Sequence, residues 1–158
     1  MSDSKKATIV VFSGDMDKVF AAFIIATGAA AAGMDTTMFF TFWGLNAIKK
    51  GKVTGQGLLG RMMGVMNRGG INRIGPSQFN FGGIGRWMFK KMMRDKGVTP
   101  LDDLLQLAVD LDVKLLACKM SMDVMEIAKD DFIDEVEDVV GVATYMKHAA
   151  ESEVTLFI

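Results

Sequence analysis

Three consecutive segments restrict the fold most: Ala7 to Phe12 (ATIVVF), Met16 to Gly33, and Thr36 to Phe42 (TTMFFTF). The first is a continuous apolar, β-branched run with no polar alternation, which suits a strand buried on both faces, and Ser13, Gly14 and Asp15 after it read as a turn. The second is dense in Ala, Ile, Phe and Met and lacks proline. Asp15 or Asp17 can cap its start and Gly33 can end it, which predicts a helix that is nearly apolar all round. The third, rich in Thr and Phe and closed by Trp43 and Gly44, predicts a second strand. Strand, helix, strand is the βαβ unit of a parallel sheet.

The later chain repeats the alternation. Leu101, Leu104, Leu105, Ala108 and Leu111 fall at helical spacing behind Pro100, with Thr99 as a cap and Asp102 and Asp103 in the first turn. A strand over Val113 to Ala117 follows. Then come a short helix from Ser121, an acidic stretch from Asp130 to Asp138, a helix from about Val142 to Ala150, and a last strand, Val154 to Ile158. The expectation is an α/β protein with a mostly parallel sheet and helices on both faces, in which ligands lie beyond the carboxyl ends of the strands. The 158 residues suit one domain, and a 50% hydrophobic content with two prolines excludes a disordered chain.

Residues 47–97 differ in kind. They are rich in Gly and Met and predict short helices around 56–66 and 84–95 joined by a Gly-rich loop, an insertion within the single domain. A net charge of -1 hides an asymmetry: residues 49–96 hold eleven Lys or Arg against one acid, whereas residues 97–158 hold four against fourteen. Such a basic island suits nucleic acid, an anionic membrane surface, or compensation by acidic segments within the protein or across an oligomer, and the last is favoured. Phe79, Phe81, Trp87 and Phe89 interleave with the basic residues but match no RNA-recognition spacing, so nucleic acid is not an expected partner. Gly82 to Gly85 (GGIG) does not follow an apolar strand, which argues against a nucleotide-phosphate loop.

Cys118 is the single cysteine, placed between the strand-like KLLA and the helix-start signature KMSMDV. A thiol before a helix N-terminus meets unpaired backbone N–H groups that favour the thiolate, and Lys119 adds a positive charge. The competing reading is a small buried hydrophobe. One cysteine excludes an intrachain disulfide framework and a thiolate metal cluster. Met1 to Lys6 has no apolar signal-peptide region, so the expected compartment is cytoplasmic. The loops after the three strands predict site-lining residues on one edge: Ser13, Gly14 and Asp15; Trp43, Gly44 and Asn46; and Lys119, Ser121 and Asp123 around Cys118. Asp15 as a helix cap and Trp43 as a core or interface anchor are the bland alternatives.

The blocks VVFSGDMDKVFAAFIIATGAAAAGM (10–34), TMFFTFWGLN (37–46), LLACKMSMDVMEI (115–127) and VVGVATYMKHAAESEVTLFI (139–158) make the chain resemble the DsrE/DsrF/DsrH-like sulfurtransferase family, in the branch with a Met-rich insertion. The resemblance implies a three-layer DsrE-like fold, homo-oligomeric assembly, and a cysteine that relays sulfane sulfur as a persulfide in sulfur oxidation or thiolation pathways. It places that role on Cys118 and implies donor and acceptor proteins such as TusA-like or rhodanese-like carriers, with no cofactor. Members of the branch are sometimes described as peroxiredoxin-like, yet the peroxiredoxin cysteine motif and a resolving cysteine are absent from this sequence. Ser121 is expected to cap the helix after Cys118 or to donate to its sulfur, and Asp123 to favour the helix dipole.

The alternative function is a membrane-associated or Cu(I)-binding accessory protein without sulfur transfer. Val19 to Ile48 holds one charged residue, Asp35, but is divided into two unlike halves, the first too short to span a bilayer. Peripheral membrane contact would run through the basic, Met-rich insertion. Met120, Met122 and Met125 around Cys118 offer soft ligands for Cu(I), although methionine at this density more often packs. His148 beside Lys147 near the end of a helix fits a dipole-stabilised cation.

Overall fold

The computed structural model describes residues 4–158; residues 1–3 of the Met1 to Lys6 segment lie outside them. Five strands, β1 (Lys6–Val11), β2 (Asp35–Phe40), β3 (Lys114–Cys118), β4 (Asp138–Val140) and β5 (Val154–Phe157), form one parallel sheet in the order β4-β3-β2-β1-β5. Six α-helices accompany them: α1 (Met16–Ala31), α2 (Leu58–Met66), α3 (Ile84–Asp95), α4 (Leu101–Asp110), α5 (Lys119–Val124) and α6 (Val142–Ala150).

Handedness sorts the helices into two layers. From β1 to β4 the chain advances across the sheet in one direction, so right-handed crossovers leave α1, α4 and α5 on one face. The return from β4 to the far edge at β5 runs the other way, which puts α6 on the opposite face. Two apolar clusters confirm the division. Ile9, Val11, Met38, Phe40, Leu115 and Ala117 of the sheet pack with Val19, Phe23 and Ala26 of α1 and Leu104, Leu105 and Ala108 of α4. Their strand neighbours Val10, Phe39, Leu116 and Cys118 point the other way, to Val140, Tyr145 and Ala149.

The ends of α1 follow from the sequence. Gly33, at φ +85°, supplies the left-handed residue of a Schellman-type ending, with Gly33 N–H bonded to the Ala30 carbonyl and Met34 N–H to that of Ala29. At the other end, Asp15 holds the cap position, but its side chain makes no capping hydrogen bond. The loops after β1 and β2 pack backbone on backbone. A Cβ on Gly44 would lie 1.9 Å from the Val11 carbonyl oxygen, and one on Gly14 would lie 2.4 Å from that of Trp43, so both positions require glycine.

The insertion leaves between β2 and α4 through a 3-10 helix over Phe42–Ile48, then carries α2 and α3. Two differences from the sequence expectation concern ends. The third strand runs through Cys118, and α5 starts at Lys119 rather than Ser121. Strand β4 was not expected: its three residues close an acidic stretch, and pairing to β3 (Leu116 with Asp138, Cys118 with Val140) makes it extended. No helix among the described residues is long and apolar enough to cross a membrane.

Candidate functional site

Cys118 ends β3 beside β4, and these two strands send their following helices, α5 and α6, to opposite faces of the sheet. The thiol thus sits at the carboxyl edge of the sheet, where open α/β folds place their ligands, although the strand order reverses elsewhere, between β1 and β5. The thiol is nevertheless closed off. Cys118 is 1% exposed, in a cluster with Phe39, Leu116, Val140 and Tyr145. The Tyr145 ring, from the first turns of α6, stacks on Phe39 with centroids 4.6 Å apart, a pairing worth about 0.5–1.5 kcal/mol beyond its burial. The Tyr145 hydroxyl is buried without a hydrogen-bond partner among the described residues. An orphaned hydroxyl of this kind costs on the order of 1–3 kcal/mol, so the wall over the thiol carries a polar defect.

The residues after the thiol serve other ends than those expected. Lys119 pairs with Asp123 one turn on, both exposed, so its ammonium is engaged on the outer surface of α5. Ser121 is fully buried and shares a 2.8 Å hydrogen bond with Thr41. It lies inside α5, whose cap position is Cys118 itself, so the bond ties α5 to the end of β2 and neither caps the helix nor meets the sulfur. Met122 and Met125 pack in the α1 and α4 cluster on the other face from Cys118, while Met120 is exposed. The soft-ligand set read from the sequence therefore does not converge. No group of three or more His, Cys, Asp and Glu among the described residues could hold a metal ion.

The other candidates meet in a separate cleft of about 920 Å³ at the carboxyl ends of β1 and β2. Ser13, Gly14, Asp15, Trp43 and Asn46 line it; Cys118 does not, and Gly44 lies under it against β1. Asp15 accepts hydrogen bonds from Ser13 Oγ at 3.1 Å and Lys18 Nζ at 3.0 Å, and Ser13 Oγ accepts from the Asp15 N–H. Trp43 is 47% exposed, which removes it from the core. Arg68, Arg73 and Arg86 of the insertion complete the wall. The charge count revealed a basic island but not that three of its arginines line one cleft with the start of α1.

Polar contacts seat the insertion on the sheet. Glu126 accepts from the Gln56 and Gly57 N–H groups at 2.7 and 2.9 Å, at the N-terminus of α2, and these bonds hold its carboxyl below the usual range. Lys49, 2% exposed, donates to the Asn67 carbonyl at the end of α2 at 2.6 Å, and burial pushes its pKa down against the opposing pull of Asp131. Asp17 accepts from the N–H and hydroxyl of Ser77, both at 2.8 Å. Burial raises the Asp17 pKa, and the Ser77 bonds outweigh it, leaving the carboxyl below its ordinary value. Between the basic and acidic segments, Lys50–Asp134 is the ion pair formed among the described residues, while Lys49 and Lys90 feel the more distant carboxylates of Asp131 and Asp102.

Known proteins share this architecture. The fold is similar to the ychN protein from E. coli (TM-score 0.54, 12% identity, 97% of this chain and 99% of that one). It is equally similar to MTH1491 from Methanobacterium thermoautotrophicum, a protein of unknown function (TM-score 0.56, 11% identity, 98% and 100%). In sequence the chain is 43% identical over 157 residues to the uncharacterized protein YrkE of Bacillus subtilis, covering 98% of each. It is 34% identical over 159 residues to the sulfur carrier protein DsrE2 of Allochromatium vinosum, covering 99% of each. With a parallel five-stranded sheet, a matching family profile over residues 3–157 and relatives aligned from end to end, the chain belongs to the DsrE/DsrF/DrsH-like family.

Proposed function

We propose that the protein is a sulfur carrier that holds sulfane sulfur as a persulfide on Cys118 and passes it between partner proteins. The observation that carries this reading is the lone thiol at the carboxyl end of β3, in a chain 34% identical to a sulfur carrier protein. In loading, the Cys118 thiolate attacks the outer sulfur of a donor persulfide. The donor S–S bond breaks, a Cys118–sulfur bond forms, the donor leaves as a thiolate, and the proton stays with the transferred sulfur. Unloading is the same exchange onto an acceptor thiolate, so the cycle is redox-neutral and needs no second cysteine.

Burial adds a requirement: the wall of Val140 and Tyr145 must move before another protein's sulfur reaches the thiol. Opening lets the unpaired Tyr145 hydroxyl bond to water, which offsets part of the cost of moving that wall. Donors and acceptors are then thiol-bearing proteins of the TusA-like or rhodanese-like kind. Self-association fits the apolar side chains left exposed at the sheet edge, where Phe12 stacks on Phe157 with centroids 5.6 Å apart.

Intact-protein mass spectrometry after brief incubation with polysulfide, thiosulfate or glutathione persulfide tests the reading. Native protein should gain whole sulfur atoms, reversed by a reductant, and Cys118→Ser should gain none. Tyr145→Ala should raise the rate of Cys118 alkylation in the folded protein by tenfold or more. If no donor loads the thiol in either the native chain or Tyr145→Ala, Cys118 is a packing residue and the reading falls.

A further inference from the structure

We propose that the cleft at the N-terminus of α1 is a binding site for a small molecule carrying a tetrahedral dianion, a phosphate ester or a sulfur oxyanion. Three independent features converge there. The first is charge. Lys18, Arg68, Arg73 and Arg86 line the cleft against one carboxylate, Asp15, and that carboxylate is taken by Lys18. No carboxylate among the described residues lies within ion-pair distance of the three arginines. Arg86 donates to the Arg73 carbonyl, which fixes its guanidinium without neutralising it. Guanidinium groups match tetrahedral oxyanions through paired N–H donors, so an uncompensated +3 wall suits a ligand with two or three negative charges.

The second feature is the helix. α1 is 16 residues long, and Asp15 and Lys18 at its start both lie on the cleft, so the positive end of its dipole adds to the arginine field, although the Met16 N–H is taken by the Gly75 carbonyl and Asp17 stands in the first turn. The third is an unfilled acceptor. Asn46 is 6% exposed, donates through Nδ2 to Asn67 Oδ1 at 2.8 Å, and leaves its own Oδ1 buried without a partner among the described residues. That oxygen lies beside Gly69, where a Cβ would come within 3.1 Å of it, and Gly69 forms part of the cleft wall. The Gly70 N–H, bonded to the Asn46 carbonyl at 2.7 Å, holds this loop beside the oxygen, so a ligand donor reaches it when that bond gives way. A molecule with an oxyanion on the arginines and a hydroxyl or N–H toward Asn46 satisfies both ends. The volume of about 920 Å³ accommodates a molecule of sugar-phosphate or nucleotide size.

Isothermal titration of the full chain with inorganic phosphate, ribose 5-phosphate, thiosulfate and citrate tests the site. Saturable binding of a phosphate or thiosulfate arm is expected, weakened at least tenfold in Arg68→Gln/Arg73→Gln. Both arginines are exposed, so this variant should fold. Lys96→Gln, outside the cleft, should leave binding unchanged. Tighter binding of ribose 5-phosphate than of phosphate identifies a phosphate ester with a hydroxyl donor, and a preference for thiosulfate identifies a sulfur oxyanion. Absence of saturable binding overturns the site, as does equal weakening by Lys96→Gln or citrate binding as tightly as the tetrahedral ions. Cys118→Ser should bind as the native chain does, so failure of the sulfur-carrier reading would leave this site standing.

Discussion

The sheet and the insertion hold their chain in place by opposite means. In the sheet and the helix packed on it, Ile9, Val11, Met38 and Phe40 of the strands and Phe23 of α1 are fully buried. In the insertion the proportions reverse: Leu58 is 89% and Met66 83% exposed, and Leu59, Phe79, Phe81 and Trp87 are also open. Ile74, with Ile71 partly buried beside it, reaches the sheet's core, but the other contacts that seat the insertion are polar: Glu126 on α2, Lys49 on the Asn67 carbonyl, Asp17 on Ser77, and the Met16 N–H on the Gly75 carbonyl. Burial of apolar surface makes the sheet the stable body, while the insertion is a separately adjustable plate with an apolar, positively charged outer side. A surface of that composition is one that a partner or a second subunit covers.

The comparison breaks most visibly by truncation. Phe40→Ala should cost about 3–5 kcal/mol in global stability by chemical denaturation, whereas Leu59→Ala in the insertion should stay within about 0.5 kcal/mol. Equal losses would mean that α2, like Ile74, packs into the sheet's core. Gly64→Ala should come next, because its Cβ would fall 1.9 Å from the Thr54 carbonyl oxygen. It should accelerate amide exchange throughout α2 and leave exchange in β1 to β3 unchanged. Glu126→Gln should act in the same place more weakly, raising exchange at Gln56 and Gly57, since a neutral amide is a poorer acceptor at a helix N-terminus.

The smallest effects are in pH dependence, and they carry opposite signs. Lys49 gives up its proton below its ordinary 10.5 when folded, so the unfolded chain binds the extra proton between the lowered value and 10.5. Stability should therefore rise with pH across that window, and Lys49→Met should flatten the rise. Asp17 lies below its ordinary 3.8, so its contribution is complete above that value and is lost as pH falls through the folded one. Asp17→Asn should remove this acid-side loss, measured as the denaturation midpoint against pH.

The periodic elements were legible because each carries its own signal. The β-branched run of β1, the glycine ending of α1 and the Leu spacing of α4 need no tertiary partner to be read. Strand β4 was not legible, since Asp138–Val140 is extended only through its pairing with β3. The site followed the same division. Cys118 at the end of a strand could be read from KLLAC, but its closure depends on Val140 and Tyr145, which come from the last third of the chain. Ser121 looked like a cap because its partner Thr41 is 80 residues away. Asp15, Trp43 and Asn46, grouped with Cys118 by the strand-end rule, line a cleft with arginines of the insertion and without the thiol, because the chain that completes it comes from residues 65–86.

The wall over Cys118 also has a kinetic meaning. A group behind a closed wall reacts at its intrinsic rate multiplied by the fraction of molecules in which the wall stands open. Each increment of about 1.4 kcal/mol in the opening equilibrium slows every reaction at that sulfur tenfold, whatever the reagent. Substitutions at position 145 can therefore retune the tempo of the thiol over orders of magnitude while its chemistry stays the same. A docking protein that favours the open form can choose the moment at which the sulfur becomes available.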